Sequence, residues 1–284
     1  MNTLFSATRR KILAGAAALL ALSAPAFAED LFDVGKGDGL KVAYYNFAPF
    51  AYVNKDGNVV GEQVEVLRHV IGKMGLKIAS ETPTEWGNLI PGLKASRFDV
   101  VAAGMFVTPK RCNEVAFTEP TFGIKQAIIV PKGNPKGLSN FESVKDKNAV
   151  LAAIAGTAQV TWAKSVGVED AKIMQIPDNP TGLAAVRAGR ADGFTIDAPG
   201  ARLAVAELPE KDMEMLEPFD QVGGKPASPH GAYAVRQSES AFVTEFNKVL
   251  STFVGTPEHI AIMEAHGLQK SELPKRTTAD LCKG

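Results

Sequence analysis

Apolar residues along this chain follow two alternating rhythms. LKVAYY (40–45), FDVVAAGM (98–105), QAIIVP (126–131) and AVLAAIAG (149–156) are apolar at almost every position. Runs of that length predict strands, and FDVVAAGM reads as one buried on both faces. LKIAS (76–80), KIMQIP (172–177) and ADGFTI (191–196) add further strands. Between them apolar residues recur every three or four positions. Val64, Leu67, Val70, Ile71 and Met74 trace a helical stripe, with Gly75 placed to stop it. LIPGLKAS (89–96), AQVTWAKSVG (158–167) and TGLAAVRAG (181–189) predict three more helices. Gly57 and Gly61 bracket a turn and a short strand, and two helices follow GAYAVR (231–236), within 239–254 and 257–266. Strand–helix alternation of this kind predicts an α/β fold with parallel sheets.

The pattern also echoes itself. LKASRFDVVAAG (93–104) and VRAGRADGFTID (186–197) share one plan. Each ends a helix at Ala-small-Arg, then crosses to Asp and an apolar strand. Two similar α/β lobes would follow, each ending a strand at a shared cleft. Ligands of open α/β sheets bind beyond the carboxyl ends of strands. Met105-Phe106 and Asp197 fall at two such ends.

Composition adds an address. The 284 residues are 45% hydrophobic, with 31 basic and 31 acidic side chains. That balance suits a soluble globular protein and gives no basic excess for nucleic acid. Residues 8–28, TRRKILAGAAALLALSAPAFA, differ from the rest. A basic start, an apolar run from Ile12 to Leu22 and Ala26-Phe27-Ala28 before Glu29 mark residues 1–28 as a secretory signal. The Arg9-Arg10 pair fits twin-arginine export and equally a general signal with two incidental arginines. The mature chain then begins near Glu29, in a periplasm. In that oxidising compartment Cys112 and Cys282, the only cysteines, favour a disulfide over two free thiols. No Cys/His cluster suggests a metal, and no Walker or other Gly-rich phosphate motif suggests a nucleotide cofactor.

Candidate chemistry gathers at strand exits. YYNFAPFAY (44–52) packs five aromatics around Pro49. Trp86 opens a helix, and GMFVTPKRC (104–112) brings Gly104, Phe106 and Arg111 close together. Aromatic faces hold cations, and Arg grips a carboxylate with two parallel hydrogen bonds. Such a box beside one Arg suits a small zwitterion with diffuse positive charge. From the facing lobe, Gly156 and Thr157 would offer backbone N–H groups at a helix N-terminus, a seat for an anion. Asp197 could meet an ammonium or amidinium group. The plainer alternatives are a surface Arg111, a core Trp86, and Asp197 as the cap of the helix that follows it.

YYNFAPFAYVNKDGNVVGEQVEVLRHV, LIPGLKASRFDVVAAGMFVTPKRCNEVAFTEP, AGTAQ and RADGFTID, in that order, resemble family 3 of the extracellular solute-binding proteins. These are the type II periplasmic binding proteins of polar amino acid ABC transporters. GMFVTPKRC followed by PKGNPKGLSNFESV resembles the ectoine/hydroxyectoine-binding branch. The resemblance implies two α/β lobes joined by two crossovers. Lobe one would comprise 29–122 and 234–284, and lobe two 123–233. Such a protein is not an enzyme. It would capture a zwitterionic or carboxylate-bearing solute by hinge closure and, as a monomer, deliver it to the membrane permease of an ABC importer. Carried over by position, Phe50, Trp86 and Phe106 become the aromatic box and Arg111 the carboxylate clamp. Gly156, Thr157, Ala158 and Asp197 would close over the ligand. The ectoine branch places an acidic residue three positions before the first box aromatic; Phe47 stands there instead. A fourth aromatic suits a quaternary amine or an aromatic acid. The same fold also resembles periplasmic cyclohexadienyl dehydratases, which need a general acid; Glu85, Asp197 and His230 are the candidates.

Overall fold

A computed structural model describes residues 30–227 and 229–283 of the chain. The signal sequence read at 1–28 lies outside the described residues. Fifteen strands are present among them: β1 (Leu40–Tyr44), β2 (Tyr52–Val53), β3 (Val59–Val60), β4 (Ile78–Pro83), β5 (Val100–Phe106), β6 (Ala116–Phe117), β7 (Phe122–Gly123), β8 (Gln126–Pro131), β9 (Leu151–Ile154), β10 (Ile173–Ile176), β11 (Gly193–Asp197), β12 (Met213–Met215), β13 (Gln221–Val222), β14 (Lys225–Pro226) and β15 (His230–Val235). One large sheet runs β4-β1-β5-β15-β6, with β7 also on β15; the other runs β10-β9-β11-β8-β12.

Both sheets share a plan. β1, β4 and β5 are parallel, as are β9, β10 and β11. The fourth strand of each is antiparallel, β15 against β5 and β8 against β11. The sheets are therefore mixed, not purely parallel as the alternation predicts. β8 and β15 are each reached from the other sheet, so no helical crossover within one sheet forces them parallel. The first sheet takes in all of β15.

The continuous apolar runs have a direct cause. All seven residues of β5 are buried. Val100 and Ala102 enter a cluster with Val66, Leu67, Phe242 and Phe246 of the outer helices. Val101, Ala103 and Met105 enter a central cluster shared with Ala127, Ile129, Phe194 and Ile196 of the second sheet. Neither face of such a strand meets water, so neither carries polar residues.

The echo at 93–104 and 186–197 is structural. Ser96 and Gly189 both adopt left-handed backbone, φ 53° and 64°, just past a helix end. Behind them, Arg97 N–H reaches Gly92 O at 3.0 Å and Arg190 N–H reaches Ala185 O at 2.9 Å, closing the helices alike. The two aspartates then do the same work. Asp99 accepts from Lys41 N–H at 2.9 Å, and Asp192 accepts from Val150 N–H at 2.8 Å. Each carboxylate ties its strand to the start of the neighbouring parallel strand. Cys112 and Cys282 form the disulfide, with Cα atoms 5.7 Å apart.

Candidate functional site

The cleft between the sheets is built first by aromatic packing. Gly104 sits in β5 with φ 60°, and a Cβ there would lie 2.9 Å from Phe50 Cγ. Only glycine lets the Phe50 ring lie down on the strand. That ring stacks on Phe122 with centroids 4.6 Å apart. Phe47 leans against Phe50 at 5.7 Å and reaches the start of the helix Ala198–Ala206, where a Cβ on Gly200 would meet it at 2.6 Å. Trp86 opens a short turn before the helix Leu89–Lys94 and meets Tyr45 edge-on at 5.8 Å. Tyr45, Phe47, Phe50, Trp86 and Phe106 wall an inner chamber of about 40 Å³.

The opposite wall comes from the second sheet. Asp197 ends β11 and caps the helix Ala198–Ala206, accepting from Gly200 N–H at 2.8 Å. It lines the chamber and is 3% exposed. Capping and lining, read above as alternatives, coexist. Burial pushes its carboxyl up to about 7, against the opposing pull of the Gly200 N–H; Glu272 raises it further and Arg202 lowers it. Beyond β9, Thr157 caps the helix Ala158–Ser165 by position only. Its hydroxyl donates to Ile154 O at 2.7 Å, and its N–H reaches the same oxygen at 3.2 Å. The anion seat read from AGTAQ therefore reduces to the helix N-terminus behind Thr157, which no side chain caps.

Arg111 is held by backbone carbonyls of both sides. Thr108 caps the four-residue helix Pro109–Cys112, and the Arg111 side chain folds inward, 8% exposed. Its guanidinium donates to Phe106 O at 2.9 Å and Gly156 O at 3.4 Å, and lies 5.3 Å from the Trp86 ring centroid. Burial pulls it down to about 10, which leaves it charged at neutral pH. It lines an outer groove of about 540 Å³, not the chamber. Gly156 lines that groove too, and presents its carbonyl: Trp86 Nε1 donates to it at 3.2 Å.

Seven of the nine expected ligand residues thus meet in the chamber: Phe47, Phe50, Trp86, Gly104, Phe106, Thr157 and Asp197. Arg111 and Gly156 stand next door, with Trp86 and Thr157 common to both spaces. Three further residues belong to the site. Tyr45 lines the chamber and donates its hydroxyl to Pro177 O at 2.9 Å, joining the two sides. Gln159 is 6% exposed, and its Oε1 has no hydrogen-bond partner among the described residues. Trp162 lines the groove, and its ring lies 6.3 Å from that of Phe106. Tyr45 sits inside the aromatic stretch 44–52, and Gln159 is the next residue after Ala158, so local sequence held a signal for both. Trp162 reads from sequence only as a helix residue. Of the general-acid candidates, Glu85 borders a separate groove with Thr84 and Asn88, and His230 accepts from Lys275 N–H at 3.2 Å; only Asp197 lines the chamber. Among the described residues no group of three or more His, Cys, Asp or Glu could hold a metal.

The profile of the bacterial extracellular solute-binding proteins, family 3, matches residues 40–268. A Sinorhizobium fredii protein named "Probable amino-acid ABC transporter periplasmic-binding protein" is 33% identical over 252 residues, covering 86% of this chain and 82% of its own. A crystal structure of EhuB in complex with hydroxyectoine is similar with TM-score 0.78 and 28% identity, over 89% of this chain and 96% of that one. The cyclohexadienyl dehydratase of Pseudomonas aeruginosa is 25% identical over 176 residues, 62% of this chain and 65% of that one.

Proposed function

The chain belongs to family 3 of the bacterial extracellular solute-binding proteins, and on that premise we propose that it captures a small zwitterionic solute for an ABC importer in the periplasm. The solute is an ectoine-like compatible solute or an amino-acid derivative. One observation carries this reading: an aromatic chamber has a buried carboxyl, Asp197, on one wall and a buried cation, Arg111, just past Trp86. A zwitterion can place its cationic part among Phe47, Phe50, Phe106 and Asp197. Its carboxylate then reaches toward Arg111, whose guanidinium is held by two backbone carbonyls, with Glu114 on the same groove. Arg111 would exchange a backbone carbonyl for a charged partner, a stronger bond.

Two lobes built on the two sheets would close on the ligand. Tyr45–Pro177, Trp86–Gly156 and Arg111–Gly156 are bonds between the sides that favour the closed form. A ligand shifts that balance only as far as it prefers the closed arrangement. The closed form then docks on a membrane permease.

A thermal-shift screen of the mature chain tests the reading. The panel holds ectoine, hydroxyectoine, betaines, amino acids and aromatic carboxylates. A ligand at a hundred times its Kd adds about 2.7 kcal/mol of stability. Shifts confined to zwitterions support the proposal, and no shift with any of them overturns it. Asp197, held near neutrality, also gives a dehydratase reading one candidate general acid. Turnover of a cyclohexadienyl acid, lost in Asp197→Asn, would favour that second reading.

A further inference from the structure

The family match ends at residue 268, and the segment beyond it touches both sides of the cleft. It starts on the helix Ala198–Ala206, where Gly267 packs close to Leu203; a Cβ there would lie 3.2 Å from Leu203 Cδ2. Arg202 of the same helix reaches out to the tail. Its Nη2 donates to both oxygens of Glu272 at 3.0 Å and to Gly267 O at 3.3 Å. Glu272 is itself fixed, because it closes the turn Lys270–Glu272 by accepting from Gln269 N–H at 2.8 Å. The tail then runs past the start of β15, where Lys275 N–H donates to His230, and Thr278 donates its hydroxyl to Thr118 O. It ends in the disulfide at Cys112, next to Arg111. One end is therefore fastened to the helix that Asp197 caps. The other is fastened to the helix that carries Arg111.

We propose that residues 267–282 form a strap between the lobes, and that the Arg202–Glu272 pair holds the closed arrangement. The pair is only partly open to water, with side chains 28% and 12% exposed. It borders the same groove as Gly123, Lys125 and His230, where the chain passes between the sheets. Three acceptors converge on one nitrogen there. A rotation of the helix Ala198–Ala206 relative to the tail cannot keep all three. Removing the pair shifts the balance toward the open form and shortens the stay of a bound ligand. The strap rests on the reading of a cleft that opens and closes, so its test begins without ligand.

The chain has two tryptophans, Trp86 and Trp162, and both flank the cleft. Acrylamide quenching of the mature, ligand-free chain therefore reads closure. Glu272→Gln keeps an oxygen for Gln269 N–H but removes the charge. Glu272→Gln and Arg202→Gln should each raise quenching, with the closed-to-open ratio falling about fivefold. The double variant should rise no further than either single, because the two side chains act as one pair. Arg202→Lys, which keeps a cation, should fall between and serves if a neutral variant does not fold. Unchanged quenching with only a lower Tm overturns the strap and leaves the tail as packing. Hydroxyectoine release by stopped flow comes second. Altered quenching in a chain that binds no hydroxyectoine would leave the strap standing and count against the solute reading alone.

Discussion

Asp197 should make stability and ligand affinity run in opposite directions with pH. Its carboxyl is raised from 3.8 to about 7 in the folded chain, chiefly by burial. A raised acid keeps its proton when folded and loses it when unfolded. The stability this gives is fully present below about 3.8, the unfolded value, and is lost as pH climbs from 3.8 to 7. The slope approaches 1.36 kcal/mol per pH unit and halves as pH reaches the folded value, so raising pH from 5 to 7 should remove about 2.3 kcal/mol. For a chain of this size that is about 5–10 °C in Tm. A cationic ligand prefers the ionised carboxylate, so its affinity should instead rise with pH, up to tenfold per unit below 7. The control is Asp197→Asn, which still caps the helix Ala198–Ala206. Arg202 and Glu272, the other charges acting on Asp197, remain in the variant and cancel in the difference. Tm of both proteins from pH 5 to 8, with calorimetric titration of hydroxyectoine at each pH, gives the result. A flat difference in Tm would refute the burial argument. A pH slope in affinity that persists in Asp197→Asn would refute the carboxylate as the ligand's partner.

The remaining expectations concern neighbouring residues. Arg111→Ala should weaken carboxylate-bearing ligands by on the order of 2–5 kcal/mol in calorimetric titration while the chain stays folded; unchanged affinity would remove it from the site. Gly104→Ala forces a Cβ to 2.9 Å from Phe50 Cγ at a left-handed φ of 60°, and should lower stability by about 1–3 kcal/mol in urea titration. Normal stability and binding there would show that Phe50 can move without consequence. Cys282→Ala frees a loop closed over 170 residues and should lower the unfolding free energy by about 2–4 kcal/mol. Ser96→Gly should raise stability by up to about 1 kcal/mol, since Ser96 holds the left-handed position that Gly189 fills in the second lobe.

Features set by one segment were legible in the sequence. FDVVAAGM reads as a doubly buried strand because each face of β5 enters a different cluster. The strand ends at Phe106 and Asp197 follow from the same runs. The helix Phe141–Asp146 escaped the periodicity, being six residues long; its signal is a capping box between Asn140 and Ser143. What depends on docking one sheet against the other left no local trace. The antiparallel entry of β8 and β15 is one case. The bond from Tyr45 to Pro177 spans 132 positions. Arg111 turning toward Gly156 depends on where the second sheet's loop comes to rest, 45 positions away.

The internal echo explains why the cleft is asymmetric. Aligning 93–104 with 186–197 pairs Ser96 with Gly189, Asp99 with Asp192 and Gly104 with Asp197. The first two pairs keep their structural work in both lobes, as the helix ends and the bonds to Lys41 and Val150 show. The third pair differs, and of the three it alone lines the chamber. In lobe one the position is a glycine, and the room it leaves is filled by the flat ring of Phe50. In lobe two it is a carboxyl, fixed by Gly200 N–H and buried. The same plan of strand ends thus sets an aromatic wall against an acidic one. A cation with an apolar ring satisfies both walls at once, whereas a neutral polar solute satisfies neither.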